Sequence, residues 1–220
     1  MRKLLRALLA GTAVSTLAAV GPAAGAVVWS LDTPVDAGAP KVLVAEVVLT
    51  QMAGGVAFDL HATWPTSDAF FGTGAFLREF EFTFSGAAQP ALALVGGGGS
   101  YLFEGGTFAY GVDNNDLGFT FKLDLLFIPS GSQADDRFET GDTFSFLLQG
   151  TTLAQFTNLV SGPGNSGEFQ TLALAKIQGL ADDGSIRYVT GNGKQVPEPV
   201  TSGLLVAAAL AAALTRRRRR

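Results

Sequence analysis

Glu79-Phe80-Glu81-Phe82-Thr83-Phe84 alternates a polar residue with phenylalanine through six consecutive positions. In an extended chain successive side chains point to opposite faces, so the rings gather on one side and Glu79, Glu81 and Thr83 on the other. The same period recurs in Phe119-Thr120-Phe121-Lys122-Leu123-Asp124-Leu125 and in Thr143-Phe144-Ser145-Phe146. Each reads as a strand with one buried and one solvated face. Lys41-Val42-Leu43-Val44-Ala45-Glu46-Val47-Val48-Leu49-Thr50 is more continuously apolar, as a central strand is.

Further strands are expected over residues 56–62, 91–95, 101–103, 107–110, 169–177 and 186–190. Residues 151–159 are the one candidate for a short helix. Between these runs lie Gly54-Gly55, the glycines at 96–99, Gly105-Gly106, Pro129-Ser130-Gly131 and Gly162-Pro163-Gly164-Asn165, all turn-forming. Short strands punctuated this often point to an all-β fold, an antiparallel β-sandwich, jelly-roll-like, with seventeen phenylalanines as core material. The domain should span residues 27–190. Its 164 positions are enough to bury a core without the disulfides that a chain lacking cysteine cannot form.

The two ends read differently from the middle. Arg2, Lys3 and Arg6 precede an apolar run of 14 residues from Ala7 to Val20, and Pro22 ends it. Ala24-Gly25-Ala26 then has the small-x-small form of a signal-peptidase site, so residues 1–26 are expected to be a signal peptide cleaved after Ala26. At the other end, residues 191–195 read as a linker. Val196-Pro197-Glu198-Pro199 follows, then an apolar stretch of 16 residues over 200–215, then Arg216, Arg217, Arg218, Arg219 and Arg220. As a helix the apolar run is about 24 Å long, against a bilayer core of about 30 Å. Arginine stems that snorkel to the interface extend the span, and the cluster fixes a cytoplasmic C-terminus. A transmembrane helix is therefore expected there.

This Pro-Glu-Pro motif, apolar helix and terminal arginine cluster resemble the PEP-CTERM sorting signal, here residues 196–220. Residues 175–180 with Asp182-Asp183-Gly184-Ser185 also resemble the last strand and turn common upstream of it. The resemblance implies Gram-negative bacteria that make exopolysaccharide and biofilm. It implies that exosortase, an integral-membrane enzyme, cleaves the precursor near Pro197-Glu198-Pro199. The partners are then signal peptidase, exosortase, the inner membrane transiently, and exopolysaccharide. The body would end at the cell surface or outside the cell.

Charge narrows the partners of the body. Three of the fifteen bases lie in residues 1–26 and five at the C-terminus, while one of the nineteen acids, Glu198, lies in the tail. Seven bases and eighteen acids remain, a net charge of about −11, which disfavours nucleic acid and anionic surfaces. Asp113-Asn114-Asn115-Asp116-Leu117-Gly118 matches a calcium loop at Asp113, Asn115 and the glycine, with Asp116 adjacent. Leu117 breaks the ligand pattern, and a hairpin turn explains the same residues. The only histidine, His61, lies in a strand-like context, and no nucleophile-elbow pattern surrounds any serine. Of the larger aromatics, Trp64, before Pro65, could present its ring to a sugar, although a core position is the commoner use. Three readings result: a non-enzymatic matrix protein, a carbohydrate-binding module, and, last, a secreted hydrolase using two convergent carboxylates.

Overall fold

The computed structural model describes residues 25–66, 69–95, 106–111, 118–129, 137–164, 167–182 and 184–191. Ala24, the Asp113–Asp116 loop, residues 101–103 and everything from 196 to 220 lie outside these. The strands are β1 (Ala26–Pro34), β2 (Ala45–Met52), β3 (Gly55–Ala62), β4 (Phe76–Phe82), β5 (Leu92–Leu94) and β6 (Thr107–Gly111). They continue with β7 (Leu123–Ile128), β8 (Thr143–Gln149), β9 (Val160–Gly164), β10 (Gly167–Thr171), β11 (Ala173–Gln178) and β12 (Ser185–Thr190). The one helical element lying wholly within the described residues is a 3₁₀ turn, Leu153–Phe156, which shortens the expected helix to four residues.

Every pairing is antiparallel, and ten strands form one sheet in the order β5-β8-β3-β2-β1-β12-β11-β4-β7-β6, with β9 and β10 as a separate hairpin. In that order β3 and β4 are five steps apart, about 24 Å if the sheet were flat at roughly 4.8 Å per strand. Yet Phe58 on β3 and Phe82 on β4 have ring centroids only 5.3 Å apart. The sheet therefore curls over on itself, and its inner face becomes the core. Phe58 stacks on Phe146 at 4.9 Å and meets Trp29 edge-on at 5.9 Å. The phenylalanines of the alternating runs fill this interior, as their period requires.

The curl is nearly complete. Among the described residues β5 pairs only with β8 and β6 only with β7, and no ladder joins the two outer strands. Side chains close the gap. Phe108 on β6 meets Phe144 on β8 edge-on at 4.9 Å, and Tyr110 donates its hydroxyl to Pro90 O at 3.1 Å. Burial pushes the Tyr110 hydroxyl up to about 12, although a hydrogen bond with Gln89 opposes this.

β2 turns into β3 at Ala53-Gly54, with Met52 opposite Gly55. Gly55 has φ 151°, and a side chain there would run onto the carbonyl oxygen of Leu148, so glycine is required. Where β12 ends, Thr171 and Thr190 share a buried hydroxyl pair at 2.7 Å. Thr190 Oγ1 also accepts Leu172 N–H at 3.0 Å. These bonds pin the last strand shortly before the described chain ends.

Residues 26–34, for which no strand was expected, form β1, and Ala26 pairs with Thr50. Two expectations are corrected. The run 169–177 breaks at Leu172 into two strands that belong to different sheets. Phe119-Thr120-Phe121 is not part of β7. The chain bends at Lys122, so Phe119 and Phe121 join a small outer cluster while Leu123 and Leu125 enter the main core.

Candidate functional site on the outer face of β12, β11, β4 and β7

Register places the outward side chains of these strands in rows. Ser185, Gln178 and Phe76 form one; Arg187, Lys176 and Glu79 the next; Val189, Leu174, Glu81 and Asp124 the third. A bulge separates the first two rows on β4, where Arg78 is the extra residue and its Nη1 donates to Phe127 O at 2.8 Å.

The third row is not solvated. Phe119, Phe121, Val35, Val160 and Phe169 pack with Leu174 and Val189 into a second apolar layer. The β9–β10 hairpin lies so close that a side chain on Gly162 would run into the Phe119 ring. Beside this layer Glu81 is fully buried and Glu79 is 4% exposed, which overturns the expectation of a solvated polar face on β4. Lys176 reaches Glu79 Oε2 at 3.5 Å. Arg187 faces Asp36 at 3.9 Å, and Asp36 also accepts the Arg187 backbone N–H at 3.0 Å.

Glu81 and Asp124 stand directly opposite across the β4–β7 ladder, an unfavourable position for two like charges. Asp124 Oδ1 is buried with no hydrogen-bond partner among the described residues. Burial above all, then the negative charge of Glu79, pushes the Asp124 carboxyl from 3.8 up to about 7, with Lys176 opposing. The row thus holds a carboxyl able to give or take a proton near neutrality. Sequence reasoning missed it because alternation reports sidedness, not what covers a side. The one available signal was the apolar pair Phe119 and Phe121 just ahead of Asp124.

The first row is open. Phe76, Gln178, Gly179, Gly184 and Ser185 line a cleft of about 370 Å³. Arg137 lies over the Phe76 ring at 4.9 Å and donates from Nη1 to Gly74 O at 3.2 Å, which holds the ring in place. Gly179 has φ 71°, and a side chain there would strike the carbonyl oxygen of Gly74. The turn from β11 to β12 is tied by Ala181 N–H to Phe70 O at 3.3 Å and by Gly184 N–H to Asp182 Oδ1 at 3.0 Å.

The residues singled out from sequence fall elsewhere. Trp64 is 3% exposed, its ring 6.4 Å from that of Phe71, so it packs in the core and offers no face to a sugar. Apolar neighbours on both sides of the strand end explain the difference. Trp29 and Tyr188 are likewise core residues. His61 is exposed between Glu46 and Thr143. Asp113, Asn115 and Asp116, the sorting motif Val196, Pro197, Glu198 and Pro199, and Arg216 to Arg220 lie outside the described residues. Among the described residues no group of three or more His, Cys, Asp or Glu could hold a metal ion, and no helix is long and apolar enough to cross a membrane. No family model, curated protein or solved structure matches the chain.

Proposed function

We propose that the chain is an exported surface or extracellular-matrix protein, held transiently in the inner membrane, processed by an exosortase-type enzyme and retained with exopolysaccharide. The observation that carries this reading is the order at the C-terminus: Pro197-Glu198-Pro199, a largely apolar stretch of 16 residues, five arginines. The placement of the two ends of the body supports it. β1 and β12 are antiparallel neighbours, so the N-terminal end of β1 and the C-terminal end of β12 leave the sheet at the same pole. A body joined to both segments would turn that pole to the membrane. For the body itself, β8 lies between β3 and β5, and β7 between β4 and β6. This interleaving supports a jelly-roll-like winding.

Replacing Arg216 to Arg220 with serine should release the precursor from the membrane fraction, because the apolar run alone is too short to hold a fixed orientation. Mass spectrometry of the exported protein should find a C-terminus near Val196 to Pro199. An intact Arg220 in exported material would remove the processing reading.

A further inference from the structure

We propose that the cleft formed by Phe76, Gln178, Gly179, Gly184 and Ser185 binds a single hexose unit of a neutral polysaccharide. The proposal deepens the matrix reading and rests on its exopolysaccharide part. It does not depend on how the C-terminus is processed.

Size sets the first limit. A cleft of about 370 Å³ lies at the low end of the roughly 300–1,000 Å³ of small-molecule sites, which suits one sugar ring. Wall chemistry sets the second. The Gln178 amide and the Ser185 hydroxyl each donate and accept, as do the paired hydroxyls of a pyranose. None of the described lining residues carries a charge, and the neighbouring Arg137 guanidinium is engaged with the Phe76 ring and Gly74 O. The acidic body, at about −11, repels polyanions as well.

The third wall is Phe76, whose ring, with one face held by Arg137, offers its remaining apolar surface to the CH groups of a sugar. Arg137 over that ring keeps it in one orientation, so binding costs it little side-chain freedom. Glycines at 179 and 184 leave the floor without side chains, and Gly179 tolerates none. Position agrees with use. Ser185 opens β12 and Gln178 closes β11, so the cleft lies at the pole opposite the one where β1 begins and β12 ends. The cleft is therefore clear of both chain exits.

The test is a backbone-amide NMR titration of the exported protein with neutral gluco-, galacto- and manno-hexasaccharides, with a polyuronate of equal length as comparison. Shifts should concentrate at Phe76, Gln178, Gly179, Gly184 and Ser185 for at least one neutral probe. Gln178→Ala should weaken that binding about three- to tenfold, the effect of losing one or two hydrogen bonds, with the thermal midpoint unchanged. Ser185→Ala, at an exposed position, provides the same test should Gln178→Ala fold poorly. Absence of shifts with every neutral probe, shifts centred elsewhere, or stronger binding of the polyuronate would overturn the proposal. An untrimmed C-terminus with the shifts present would remove only the processing reading. A trimmed C-terminus without them would remove only the cleft.

Discussion

Asp124 shows how much one side chain can depend on its surroundings. Its neighbours on the outer face are Glu81 across the ladder, Glu79 within electrostatic reach and Lys176, which compensates only part of the acid charge. Folded, the carboxyl keeps its proton up to about pH 7; unfolded, it releases it near 3.8. Between those values the folded state binds more protons, so stability should fall as pH rises through that window and level off above it. Asp124→Asn keeps a polar group of the same shape without the charge. It should be nearly neutral at pH 4 and stabilising by roughly 1–2 kcal/mol at pH 8, since solvent screening of a partly exposed carboxyl reduces the effect, read from urea unfolding at both values.

At the scale of elements, the outer layer explains why that carboxyl is buried at all. Phe119 and Phe121 precede β7 but turn away from its inner face, and the β9–β10 hairpin closes over Phe119. Phe119→Ala should cost about 3–5 kcal/mol from lost burial. It should also flatten the pH dependence of stability by letting water reach the outer row, which denaturation at pH 4 and pH 8 would reveal. The same layer marks where the sequence was legible. Alternation in 79–82 and 143–146 correctly assigned the inward phenylalanines of β4 and β8, because the period of a strand is set by its backbone. It could not reveal that Glu79 and Glu81 are covered, since a roof is made by residues distant in the chain. Nor did it separate β10 from β11, where an apolar run continues across a change of sheet at Leu172. The cleft was illegible for a related reason: Phe76, Gln178 and Ser185 come from three strands and meet only through register.

At the scale of the whole molecule, closure is the weak term. Most of the sheet is held by continuous ladders, but among the described residues the seam between β5 and β6 is bridged by Phe108 against Phe144 and by the Tyr110 hydroxyl with Pro90 and Gln89. Phe108→Ala should cost about 2 kcal/mol, less than a fully buried ring, because Phe108 is only partly covered. Hydrogen exchange should then quicken in β5 and β6 well before β1 and β12 respond.

The pairing of first and last strands has a mechanical consequence. Because β1 and β12 lie side by side and both chain exits share one pole, a load applied between the ends is borne by one ladder bond at a time. Such a load peels the strands apart instead of shearing them, so the body gives way to a pull on its ends at a lower force than a ladder loaded along its strands would.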